Sequence, residues 1–194
     1  MKAVSKIIAG LSATATLLTL NTAFADAPNY STVEFGYMSI KIDDGPTPDG
    51  NFIDGSAELN KNIFVEAGHS AVKKKISNYY YSETLEQKIT YLGLGVKQDI
   101  NDSTSLYGNL DVIKVDMGDE DDDGSLVEAG IRSNVTNNFE LFASLLSAKA
   151  FDDSATELGI GAAFMFTPNV GLALRTAQDD DKNVTSTLGV RFAF

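Results

Sequence analysis

Asp119, Asp121, Asp123 and Gly124 stand at the spacing of the first half of a calcium-binding loop, in which alternate carboxylates offer hard oxygen ligands. The pattern then breaks, because its twelfth position is Gly130 rather than glutamate. The run reads as a weak divalent-ion site at most, or as a solvated, self-repelling loop tip. Lys73-Lys74-Lys75 followed by Tyr79-Tyr80-Tyr81 is a second group, with cations for anionic surface groups and rings that stack on sugars or sit at an interface. Its plainer reading is the wet end of a long strand. The single histidine, His69, adjoins Ser70, but neighbours on a strand face opposite ways, so the pair cannot act as base and nucleophile. Ala67 and Ala71 stand at the next-but-one positions, where an acid-dependent protease would need a carboxylate. No serine elbow, phosphate loop or zinc motif occurs. No catalytic residue can be named, no cofactor is implied, and no metal site beyond the acidic run is expected.

The remaining charged residues sit singly among small residues at every second position. They are Glu34, Asp54, Glu58, Glu66, Asp111, Glu128, Glu140 and Glu157, with Lys97, Arg132, Arg175 and Arg191. Such a set needs strands to gather it. Ten alternating segments of roughly 9–13 residues supply them, near 30–42, 51–60, 62–73, 86–98, 104–117, 125–135, 138–150, 154–166, 169–178 and 183–194. Leu158, Ile160, Ala162, Phe164 and Phe166 alternate with Glu157, Gly159, Gly161, Ala163 and Met165. Three segments fit less cleanly. Val33, Phe35 and Tyr37 give way to Ile40 and Ile42, and Asp111 to Val115 shifts similarly, which suggests β-bulges. Phe139 to Leu146 is apolar on both faces.

Two kinds of connection alternate strictly. Asn60-Lys61-Asn62, 99–103, Thr136-Asn137-Asn138 and Thr167-Pro168-Asn169 are short turns of residues that tolerate tight backbone geometry. The stretches at 43–50, 73–86, 118–124, 151–153 and 179–183 are longer or far more charged. Residues 1–25 read as a Sec-type secretory signal: Lys2 and Lys6, an apolar middle, then Ala23-Phe24-Ala25. Its removal would take two lysines and no acid, moving the formal charge from −12 to −14. The expected organisation is thus a signal peptide over 1–25 and one domain over 26–194. A chain so acidic repels nucleic acid. With no cysteine it holds together by packing or closure. No run after the signal approaches the roughly 18–20 apolar residues of a membrane helix.

Alternation alone does not say which face is inside. Three features favour the apolar face outward, in lipid. The polar face is built from glycine, alanine and single charges, which suits a narrow lumen. The apolar sets end in Phe139, Phe166 and Phe194 at the short-turn end, as an interfacial girdle would. And Leu188, Val190, Phe192 and Phe194 close the sequence inside its last strand. That ending, the opening "YSTVEFGYMSIKIDDG", the acidic loops and the Asn-rich turns resemble the small porin-family, OmpX-like bacterial outer-membrane β-barrel proteins. The resemblance implies an antiparallel up-and-down barrel of ten strands, or eight as in the OmpX type. It also implies a Gram-negative outer-membrane location and contact with lipid and lipopolysaccharide. Assembly would pass through the barrel-assembly machinery by way of the C-terminal strand, with a monomer favoured. The inward charges would then pair as a carboxylate–guanidinium network. Eight acids against four bases leave two readings, a structural plug or a small cation-preferring pore. The expected role is non-enzymatic, in the envelope or at the cell surface, with the channel as alternative and a lipid or peptide hydrolase as a distant third.

Overall fold

The structure is a computed structural model that describes residues 26–77, 82–118 and 120–194; the expected signal peptide lies outside the described residues. Each alternating segment is a strand: β1 (Thr32–Lys41), β2 (Asp49–Asn60), β3 (Ile63–Ser77), β4 (Ser82–Asn101) and β5 (Thr104–Asp116). They are followed by β6 (Asp121–Thr136), β7 (Phe139–Ala150), β8 (Asp153–Thr167), β9 (Val170–Asp179) and β10 (Val184–Ala193). Every strand pairs antiparallel with its sequence neighbours, and β1 pairs with β10 from Thr32↔Ala193 to Lys41↔Val184. The sheet therefore closes into a ten-stranded barrel without a free edge, the one sheet form a bilayer tolerates. The eight-stranded alternative is excluded.

The barrel is inside out relative to a water-soluble one. Asp111 is 1% exposed and its neighbour Val112 is 67% exposed; Ala173 is 4% exposed and Leu174 is 55% exposed. Leu92, Leu94, Val96, Leu110, Ile160 and Leu188 continue this apolar exterior around the wall. A continuous band of that kind marks a lipid-facing surface. Phe166 and Phe194 are exposed at the short-turn end, and Phe35 stacks on Phe192 at 5.9 Å across the β1–β10 seam. Leu110→Arg places a cation in this band and is expected to cost about 2–4 kcal/mol of stability near the bilayer midplane. Urea unfolding in lipid vesicles measures it; on a solvated face the same change would be nearly neutral.

Two expectations about the strands are corrected. β1 and β5 carry no bulge at these positions: their registers run unbroken from Thr32 to Lys41 and from Ser105 to Asp116, and Ile40, Ile113 and Val115 point inward and are buried. The backbone phase never shifts; the lumen itself turns apolar toward the loop side. The register shifts that do occur lie near the short turns, at Glu58/Asn60, Asp99/Asn101, Asn134/Thr136 and Met165/Thr167. There they absorb the odd residue of a tight connection. The apolar inner face of β7 also lines the lumen, Leu146 toward the loops and Phe142 at the level of Arg132.

On the loop side β3 and β4 stay paired to Ser77↔Ser82, so most of what reads as a loop at 73–86 is strand. The connection after β7 is also short, at two residues. Phe151 and Asp152 have φ of 55° and 58°, the positive values of a two-residue hairpin turn that follows the twist of its strands.

Candidate functional site

Parity along the strands carries all twelve singly placed charges to the lumen side of the wall, and packing sorts them into layers. At the short-turn end lies an ion-paired floor. Arg132 (β6) donates to both oxygens of Glu140 (β7), at 3.0 Å to Oε1 and 2.8 Å to Oε2. Arg191 (β10) donates from Nη1 to Glu140 Oε1 at 2.8 Å and from Nε to Glu34 (β1). Lys97 (β4) holds Glu58 (β2) at 2.8 Å. Three acids meet three bases, so this layer is neutral. Planar guanidinium forks suit such shared carboxylates better than ammonium groups would.

A residue outside the strands completes the floor. Tyr30, two positions before β1, is 2% exposed and turns its ring into the barrel. The ring lies 4.9 Å from that of Phe64, with the Arg132 guanidinium 4.4 Å and the Lys97 ammonium 4.8 Å from its centroid. Its hydroxyl bonds Ser105 at 3.1 Å, and its N–H donates to Glu58 Oε1 at 2.9 Å. Pro28 is fully buried beside it. Gly95 makes room for this stack: a Cβ there would lie 2.0 Å from the Phe64 ring. Sequence reading placed Tyr30 at the head of strand one. Its one available signal was an aromatic just before a strand whose own apolar face begins at Val33.

Above the floor the balance changes. Asp54, Glu66, Asp111, Glu128 and Glu157 share the middle of the lumen with one base, Arg175. Tyr91 donates to Asp54 at 3.0 Å and Tyr107 to Glu128 at 2.9 Å. Arg175 lies 3.9 Å from Glu128 and donates to Ser144 at 3.3 Å. The eight-to-four excess of acids is therefore not spread through the barrel. It is confined to this layer, five to one. Two cavities adjoin it, one of about 260 Å³ toward Tyr30 and one of about 220 Å³ toward the loops. The second has apolar upper walls formed by Val72, Ile89, Ile113, Val115, Leu126 and Ala150.

The family model for the outer membrane protein beta-barrel domain matches residues 10–194. The chain belongs to that family. Comparison with the curated proteins finds no match. Among solved structures, this outer-membrane barrel resembles the KdgM porin in complex with disordered oligogalacturonate at TM-score 0.54 and 10% identity, over 84% of this chain and 99% of that one. It resembles the NanC porin at 0.52 and 11%, over 84% and 99%. An outer-membrane channel from Pseudomonas putida F1 aligns at 0.52 and 13%, over 90% and 100%. At such identities the likeness is one of fold. The family places the chain in the bacterial outer membrane.

The other sequence candidates lie outside the barrel's lumen or at its rim. Lys73, Lys74 and Lys75 sit on β3, opposite Glu86, Leu85 and Thr84 of β4, rather than in a loop; Tyr79, Tyr80 and Tyr81 lie outside the described residues. Asp121 and Asp123 lie on β6, not in a loop, and Asp119 lies outside the described residues. Asp121 pairs with Lys114, a contact that holds its carboxyl below and the ammonium above their ordinary values. Asp122 accepts the Phe151 N–H. Asp121 and Asp122 thus serve different partners, and no group of three or more potential metal ligands occurs among the described residues. His69 faces outward and bonds Thr90 at 2.8 Å, while Ser70 lines the lumen. Leu188, Val190, Phe192 and Phe194 form the outer face of the closing strand and its end.

Proposed function

We propose that this protein is a non-enzymatic envelope barrel that works closed, meeting its surroundings through its loop-side end and its lipid-facing wall. One observation carries this reading: Tyr30 and Pro28, from the segment before β1, are buried in the short-turn mouth, where the ring packs tilted against Phe64 beside two cations. In this reading the aromatic plug on its charge-neutral floor closes the short-turn mouth to ions. Lipid and lipopolysaccharide are its partners in this reading, with Lys73 and Lys75 on the loop-side extension of β3 offered to lipopolysaccharide phosphates. Export by the 1–25 signal and handover to the barrel-assembly machinery through Leu188, Val190, Phe192 and Phe194 complete the proposal.

A cation-preferring channel is the second reading, and it rests on the two lumen cavities beside a five-to-one acidic layer. The ligand named for the KdgM porin is an oligogalacturonate; the acidic layer here opposes an anion of that kind. Planar-bilayer recording separates the two readings. The closed barrel gives no current steps at moderate voltage. A channel gives steps whose reversal potential in a salt gradient shifts toward the cation.

A further inference from the structure

We propose that the loop-side half of the lumen is a binding cup for a small amphipathic cation, its ammonium group on Glu66 and Asp111 and its hydrocarbon body against Ile113, Val115 and Leu126. The charged layer beneath the cup is short of donors. Asp54 and Glu128 have tyrosine hydroxyls, and Arg175 lies near Glu128 and Glu157. Glu66 and Asp111 lie against each other, and beyond that contact they have only the side-chain amide of Asn109, which donates to both. That single NH₂ leaves two buried acceptors, Asn109 Oδ1 and Asp111 Oδ1, with no hydrogen-bond partner. Both residues line the cup, and both are more than nine-tenths buried. Buried polar atoms are nearly always satisfied, so the orphans mark a missing donor. Gly93 keeps the place open, since a Cβ there would lie 1.8 Å from Asp111 Oδ1.

An ammonium group brings three donors and no acceptor, enough for both orphaned oxygens, and its positive charge suits a layer with an excess of acids. The walls above it exclude a bare metal ion as the better occupant. A divalent ion wants about six to eight oxygens, whereas the upper wall here is aliphatic. Size agrees as well. An apolar cavity of about 150 Å³ holds a benzene ring, so about 220 Å³ takes one six-membered ring with an ammonium group.

The test uses the full barrel in lipid nanodiscs with methyl-labelled Ile, Leu and Val, titrated with cyclohexylammonium, with cyclohexanol, and with sodium or calcium chloride alone. Cyclohexylammonium is expected to shift the methyl resonances of Ile113, Val115 and Leu126 saturably. Cyclohexanol is expected to bind at least about tenfold more weakly, the worth of one charge-assisted contact. Asp111→Asn, and separately Glu66→Gln, should cost a similar factor while leaving the β-sheet circular dichroism unchanged. Equal binding of cyclohexanol, undiminished binding by both variants, no shift with any probe, or saturation of the same resonances by calcium alone would each overturn the proposal. The comparison of probes on the unaltered protein holds even if a variant fails to fold.

Discussion

In planar bilayers, Tyr30→Ala is expected to turn a silent barrel into one that passes small, cation-selective currents. The ring is buried in the short-turn mouth, and its neighbours are arranged on its faces and edges. Phe64 and Tyr107 pack against it at 4.9 and 5.9 Å, and Arg132 and Lys97 cap its π system. Truncation leaves a void bordered by two cations and their carboxylates, a polar opening that water fills, joined to the cavity of about 260 Å³ above. Ions that enter meet the five-to-one acidic layer next, so cations are preferred. Tyr30→Phe keeps the ring and loses only the Ser105 bond, and should stay silent. Truncating so large a buried ring also costs about 3–5 kcal/mol, read as an earlier urea midpoint. Currents of equal size from the unaltered protein, or silence of the alanine variant, would contradict the plug.

Glu140→Gln carries the second large effect, and its contrast with Glu66→Gln makes it diagnostic. Glu140 is the common acceptor of Arg132 and Arg191, and both guanidiniums are buried in the floor. Neutralising it leaves two cations with Glu34 as the sole remaining partner of Arg191 and none of comparable contact for Arg132. Breaking a buried pair from one side costs about 3–5 kcal/mol, because the surviving charge is desolvated without compensation. Glu66 lies in the layer with too many acids. Glutamine there removes a repulsion and adds an amide donor near the orphaned oxygens of Asp111 and Asn109, so stability should hold or rise. Opposite signs for two Glu→Gln changes within one lumen are the signature of the layered charge. A similar loss for both would mean the charges form one uniform network.

The ten strands and their closure were legible because a bilayer forces strict alternation, and the side of each inward charge follows from parity alone. Leu158 to Phe166 already displays the pattern. The layering was not legible. Ile40, Ile113 and Val115 share the parity of Glu34 and Asp111, but in sequence an apolar residue at an inward position looks like a slip of phase, because nothing local shows that the lumen changes polarity along its length. Reading parity before polarity would have exposed the apolar cup. Tyr30 escaped for another reason: its partners, Phe64, Lys97 and Arg132, lie on β3, β4 and β6, and a contact of that kind leaves no local trace. The pairing of β3 with β4 beyond the acidic band was hidden likewise, because Lys73-Lys74-Lys75 looks like loop until Glu86 is placed opposite Lys73.

The outward direction of the apolar side chains decides between lipid and water as their surroundings, and the absence of native tryptophan makes it directly measurable. Leu94→Trp and Leu174→Trp are placed singly into the barrel, which is reconstituted in vesicles of brominated lipid and compared with vesicles of ordinary lipid and added iodide. Bromine on the acyl chains should quench both tryptophans strongly, while aqueous iodide leaves them bright. Quenching by iodide with indifference to brominated lipid would put those positions in water and contradict the membrane barrel.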